Sequence, residues 1–99
     1  VAIGHTALAS ADAGESGNVA IGYAALLALD GAADGTIGIG YGAGTAITTG
    51  AHNIAIGYQA SDSITTGIGN TSIGYQALAA EVFGDYSTAI GVAALQVQT

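Results

Sequence analysis

The chain contains no lysine, arginine, proline, cysteine, methionine or tryptophan. With no cationic side chain to set against seven acids (Asp12, Glu15, Asp30, Asp34, Asp62, Glu81 and Asp85), the formal charge is −7. Nothing on such a surface neutralises phosphate, which argues against nucleic acid and anionic membranes as partners. The missing cysteine removes disulfides, thiolate catalysis and Cys-ligated zinc, and leaves the redox compartment open. Apolar runs are broken by Gly, Asp or Thr well before the ~18 residues that a membrane span requires, so no membrane insertion is expected. No charged segment precedes a hydrophobic one in the manner of a signal peptide. The first residues, Val1-Ala2-Ile3-Gly4, already lie inside a repeat and lack an initiator Met, which points to a processed chain or a segment of a longer one.

What is abundant is glycine, 17 of 99 residues, within a chain that is 51% hydrophobic. These residues recur with a period. An Ile-Gly pair begins at Ile3, Ile21, Ile39, Ile56, Ile73 and Ile90, at spacings of 18, 18, 17, 17 and 17. Four residues after each Ile stands Ala: Ala7, Ala25, Ala43, Ala60, Ala77 and Ala94. Three residues before it stands Asn18, Thr36, Asn53, Asn70 or Ser87, residue types that bond their own backbone in turns. A second mark, Gly14, Gly50, Gly67 or Gly84, follows eleven residues after the Ile, with Gly31 one place early in the second unit.

A repeat this short cannot bury an apolar face alone, so successive units must stack as coils of a solenoid. The spacing predicts an all-β, parallel β-solenoid or β-roll of about six coils over residues 1–99, a single repeat domain, rising roughly 29 Å at ~4.8 Å per coil. Two strands per coil are expected. The first is the alternating Val19-Ala20-Ile21-Gly22-Tyr23 and its equivalents. The second ends near Leu29, Ile47 or Ile64, with a register change at Glu81 in the fifth unit. Short Ala/Leu runs at 24–29 and 78–82 favour helix by propensity but are too short to stand as one. The glycines are expected where φ is positive, and the missing proline fits a backbone whose N–H groups all donate to neighbouring coils.

Superposing the coils places Ile3, Ile21, Ile39, Ile56, Ile73 and Ile90 in one column, expected inside the coil. Tyr23, Tyr41, Tyr58 and Tyr75 form a second, stacked aromatic column, with His5 below and Val92 above. The small residues Ala2, Ala20, Gly38, Ala55, Ser72 and Ala89 fall on the opposite face from the Ile column. A stripe with so little charge reads as a candidate interface with another chain. Uncapped coil ends also invite coverage by further protein. Ile56→Asp is then expected to unfold or dissociate the assembly.

The segments Val19-Ala20-Ile21-Gly22-Tyr23, Asn53 to Ala60 (N-I-A-I-G-Y-Q-A) and Thr65-Thr66-Gly67 resemble the A-I-G-Y-Q-A-L repeats of phage tail-fibre and adhesin-like proteins. More distantly they resemble the V-A-I-G repeats of YadA-like trimeric autotransporter heads. The likeness covers essentially the whole chain. It implies a left-handed parallel β-roll assembled as a homotrimer, extracellular on a virion or cell surface, with a host-surface receptor or glycan as target. The chain departs from the YadA-like pattern in its longer period and in the tyrosine after Ile-Gly. It departs from the phage-type pattern at 29–34 and 79–83, where Asn-Thr-Thr-Gly is lost; a specific receptor site is expected there, around 30–34 or 81–85.

No catalytic, metal-binding or cofactor-binding set emerges. His5 and His52 occupy different places in the repeat and cannot stack, and no G-x-S-x-G motif or zinc spacing accompanies them. Asp12 and Asp30 share a repeat position, but the glycine-rich nonapeptides of calcium-binding rolls are missing. Asp62, Glu81 and Asp85 do not make a recognisable glycosidase pair. The run from Gly35 to Gly42 has neither the Lys nor the helix of a phosphate loop. The expected function is a structural or adhesive rod that mediates attachment. The alternative is an ice-binding solenoid using Thr48, Thr49, Thr65 and Thr66.

Overall fold

The fold was obtained as a computed structural model and describes residues 1–10, 16–30, 33–80 and 84–95. It is an all-β solenoid, with the expected parallel stacking. Among the described residues there are six strands, β1 (Ala2–Ile3), β2 (Val19–Ile21), β3 (Ile37–Ile39), β4 (Ile54–Ile56), β5 (Thr71–Ile73) and β6 (Thr88–Ile90). They form a single parallel sheet in chain order. The register is the one that the Ile-Gly spacing dictates: Ile3, Ile21, Ile39, Ile56, Ile73 and Ile90 are successive partners. The rod measures 35 × 22 × 15 Å.

Each strand ends at the glycine after the Ile, for two physical reasons. Gly57 has φ +128, and a β-carbon there would lie 2.6 Å from the Gly74 carbonyl oxygen of the next coil. Left-handed backbone and close approach of a neighbouring main chain both require the missing side chain. The second glycine mark has a different cause from the one expected. Gly50 and Gly67 are absent from the positive-φ residues; a β-carbon on either would collide with the carbonyl oxygen of the next coil's glycine.

Beyond the strand the chain bends through successive tight turns, not a helix. In the second coil Ala25 N–H donates to Gly22 O, Leu27 N–H to Ala24 O and Leu29 N–H to Leu26 O. Ala24 and Leu26 have φ of 58° and 51°, the signature of type II turns with a left-handed third residue. Non-glycine residues bear this conformation at a cost of roughly 1 kcal/mol each. Hydrogen bonds to both neighbouring coils hold them there: Gln59 N–H donates to Tyr41 O at 2.8 Å, and Ser61 N–H to Ala77 O at 3.0 Å. These alternating turns explain why residues 24–29 make no helix; residues 78–80 of the other Ala/Leu run are turns as well, and 81–82 lie outside the described residues.

The second expected strand is a correction. Among the described residues only one strand per coil forms. The segments around Leu29, Ile47 and Ile64 still supply the core, since all three side chains are fully buried, but Thr48 and its neighbours form turns and bends. The register change expected at Glu81 lies outside the described residues.

The interior is lined by Leu26, Leu29, Ile47, Ile64 and Leu78 from the turns, and by Ala20, Gly38, Ala55, Ser72 and Ala89 from the back of the strands. This overturns the expected orientation of the sheet. The stripe Ala20, Gly38, Ala55, Ser72 and Ala89 is the inside of the coil and therefore cannot be an interface between chains; Ala2, in the first coil, is exposed. The Ile column, expected inside, faces outward: Ile21, Ile39, Ile56 and Ile73 are half-buried, while Ile3 and Ile90 are exposed. The reason is space. A β-carbon on Gly38 would sit 2.7 Å from Leu26 Cγ, so the cavity behind the strands admits only the smallest side chains.

A buried polar spine runs beside this core. Thr36 N–H donates to Asn18 Oδ1 (2.8 Å), Asn70 N–H to Asn53 Oδ1 (2.9 Å) and Ser87 N–H to Asn70 Oδ1 (2.9 Å). Asn53 Nδ2 donates in turn to Gly50 O and Gly67 O. The turn residues thus bond chiefly from coil to coil, and their burial is compensated.

Candidate functional site

The outer surface carries three ordered columns, and each follows from the repeat. The first is the outer face of the sheet. Because side chains alternate along a strand, the residues flanking the buried Ala, Gly or Ser point outward together: Val19 with Ile21, Ile37 with Ile39, Ile54 with Ile56, Thr71 with Ile73, and Thr88 with Ile90. The middle ranks are half-buried by their neighbours above and below. The result is a flat face of β-branched side chains without a charge. The first member of each pair was missed as part of a surface, although the same period of two places it there.

The second is the aromatic column, which the structure assembles as expected. Tyr23, Tyr41, Tyr58 and Tyr75 stack with ring centroids 5.1, 5.1 and 5.2 Å apart and planes within 10°. His5 continues the stack below Tyr23 at 5.4 Å. Val92, at the next position, is 76% exposed. The four tyrosines are between 42% and 49% exposed, so their edges and hydroxyls meet solvent while their faces cover one another. Beside them Gln76 Nε2 donates to Gln59 Oε1 at 3.1 Å, a rung that the shared Tyr-Gln pair could have signalled.

The third is the pair of threonine ranks. Thr49 and Thr66 are exposed, whereas Thr48 and Thr65 are half-buried. Thr48 Oγ1 donates to the Thr65 carbonyl at 3.3 Å, which turns that hydroxyl toward the main chain.

The acids and histidines are dispersed. Asp34 Oδ1 accepts from Ser16 N–H and Asp85 Oδ1 from Ile68 N–H, each at 2.8 Å. Both carboxylates thereby satisfy the backbone of the preceding coil. Asp30 is exposed and its amide donates to Thr48 O. Partial burial pushes the Asp62 carboxyl above its ordinary range, against hydrogen bonds from its own amide and from Ser63 that pull it down. His52 is exposed, with its amide donating to Asp34 O, and stands apart from His5. Asp12 and Glu81 lie outside the described residues, as do 31–32 and 82–83 of the two segments where a receptor site was expected. Among the described residues no cluster of three or more metal-ligating side chains and no enclosed pocket is present.

Compared with known proteins, the chain matches no family model, no curated protein and no solved structure.

Proposed function

We propose that the chain is a rod-forming segment of a fibrous assembly displayed outside a virion or cell, of the tail-fibre or trimeric adhesin-head kind. Three copies bury their Ile faces against one another around a common axis. The observation that carries this reading is the flat, uncharged face of Val19, Ile21, Ile37, Ile39, Ile54 and Ile56. Contiguous apolar surface of this kind is uncommon on monomers and marks association sites. A face running the length of a rod suits parallel copies related by rotation about an axis along that rod, which closes the assembly. The resemblance of the repeats supports the trimer and the surface location.

The mechanism is mechanical. Parallel main-chain ladders, the Asn spine and the stacked tyrosines tie every coil to the next, so the rod resists bending and local opening. It holds a distal surface at a fixed reach, where a receptor or glycan is engaged. A cysteine placed at Ile56 tests the interface: oxidation should join chains of Ile56→Cys, while Thr66→Cys, on another face, should remain unlinked.

The alternative, ice binding through Thr48, Thr49, Thr65 and Thr66, draws on the exposure of Thr49 and Thr66 alone. Clear thermal hysteresis at micromolar protein would favour it over the rod.

A further inference from the structure

We infer that the tyrosine column is a covalent cross-linking site, at which a one-electron oxidant joins the stacked rings of neighbouring coils as dityrosine. The sequence leaves such an oxidant few other targets. Cysteine and methionine, whose sulfurs oxidise readily, are absent, and so is tryptophan, whose indole competes with phenol for the loss of an electron. Without cysteine or lysine the chain can form neither disulfides nor isopeptide bonds. A bond between phenol rings is thus the covalent tie that its side chains offer from coil to coil.

The stack supplies each ring with a partner. Tyr23, Tyr41, Tyr58 and Tyr75 have centroids 5.1, 5.1 and 5.2 Å apart and planes within 10°. Nearly parallel rings related by one coil step hold equivalent ring carbons about 5 Å apart. The outer edges meet solvent, the tyrosines being 42% to 49% exposed, so rotation about the side-chain torsions can bring two ortho carbons into contact. Tyr86 is the internal control. It stands four residues before Ile90, not two after an Ile, is 75% exposed, and packs over Gly69 away from the column.

Each of two adjacent phenols gives one electron to the oxidant and one proton to water, leaving two phenoxyl radicals. Their unpaired spins, shared with the ring carbons ortho to oxygen, pair in a new carbon–carbon bond. The hydrogen on each bonding carbon then passes as a proton through water to the oxygen of its own ring, which restores both phenols. The product has two hydrogens fewer than the two tyrosines, and the oxidant has taken two electrons. Each link closes a loop of 17 or 18 residues, which restrains the unfolded chain much as a disulfide does. The link lies within one chain, so it does not depend on how copies assemble.

Ruthenium tris-bipyridyl, oxidised in light by persulfate, is the probe. Illuminated with the folded protein, it should give the blue emission of dityrosine in material that runs as a single chain on a denaturing gel. Two double variants contain equal numbers of tyrosines and differ in adjacency. Tyr23→Phe/Tyr75→Phe keeps the neighbours Tyr41 and Tyr58 and should form one link, found by peptide mapping between those two residues. Tyr41→Phe/Tyr75→Phe keeps Tyr23 and Tyr58, two coils apart, and should give at least about tenfold less dityrosine within the chain, because proximity is lost. Tyr86→Phe should link as the parent does. Equal yields from the two folded double variants, links that run through Tyr86 or only between chains, or no dityrosine in the folded parent would each overturn the inference.

Discussion

Ser61 and Ser72, from adjacent coils, place their hydroxyl oxygens 2.7 Å apart in the fully enclosed interior. Ser72 Oγ also donates to the Ile54 carbonyl at 3.2 Å, so Ser61 is the donor within the pair. The two serines stand where other coils carry Leu26 or Leu78 and Ala20 or Ala89, and each makes the other tolerable. Removing one partner leaves a buried hydroxyl with reduced pairing, at a cost of about 1 to 2 kcal/mol. Removing both leaves no orphan. Ser61→Ala and Ser72→Ala should therefore each lower stability, and the double variant should be less destabilised than their sum. A double-mutant cycle by denaturant unfolding checks this, and strict additivity would contradict the pairing.

Two glycines with positive φ separate conformational strain from steric collision. At Gly17, φ is +72 and the nearest atoms to an added β-carbon are 3.8 Å away. At Gly57 the Gly74 oxygen is 2.6 Å away. Gly17→Ala should cost only about 1 kcal/mol, the left-handed penalty, while Gly57→Ala should cost roughly 3 kcal/mol or more because two coils must part. Equal losses of thermal stability would refute the close stacking at the strand ends.

Asp62 supplies a pH dependence whose sign is fixed by its surroundings. Burial raises its carboxyl above the value it has in the unfolded chain. Its protonated form is therefore favoured by folding, so this group's contribution to stability is full below the unfolded value and declines as pH rises through the folded one. Asp62→Asn should raise the melting temperature at neutral pH and change it less in strong acid. A gain confined to acid would reverse the assignment.

Much of the architecture is legible in the sequence because the repeat is stacked in register. The Ile-Gly spacing reports the coil length, and the recurrence of tyrosine two residues on reports the aromatic ladder. The orientation of the sheet is not legible in the same way. Alternation of Ile with Ala separates two faces without saying which lies inside, and hydrophobicity alone favours burying Ile. The decision rests on volume: Leu26, Leu29, Ile47 and Ile64 come from turns whose sequence does not alternate, and they fill the space behind Gly38 and Ala55. The left-handed residues Ala24, Leu26, Gln59 and Ser61 are equally hidden, since none is a glycine. The candidate site moves with the sheet, from the Ala stripe to the Ile face.

That change of face alters what Ile56→Asp should do. On an inward column it would bury an unpaired charge and unfold the coil. On the outward face of β4 the carboxylate reaches solvent in a single chain and meets its own copies in an assembly. The variant should keep the circular dichroism of the parent while losing association, whereas Ile64→Asp, aimed into the enclosed core, should not fold.

The central claim, that the Ile face joins three copies into a rod, is tested most directly by the native mass in light scattering, parent beside Ile56→Asp. The account predicts three chains for the parent and one folded chain for the variant. A parent protein that is a stable monomer, or an Ile56→Asp protein that remains fully assembled, would contradict it.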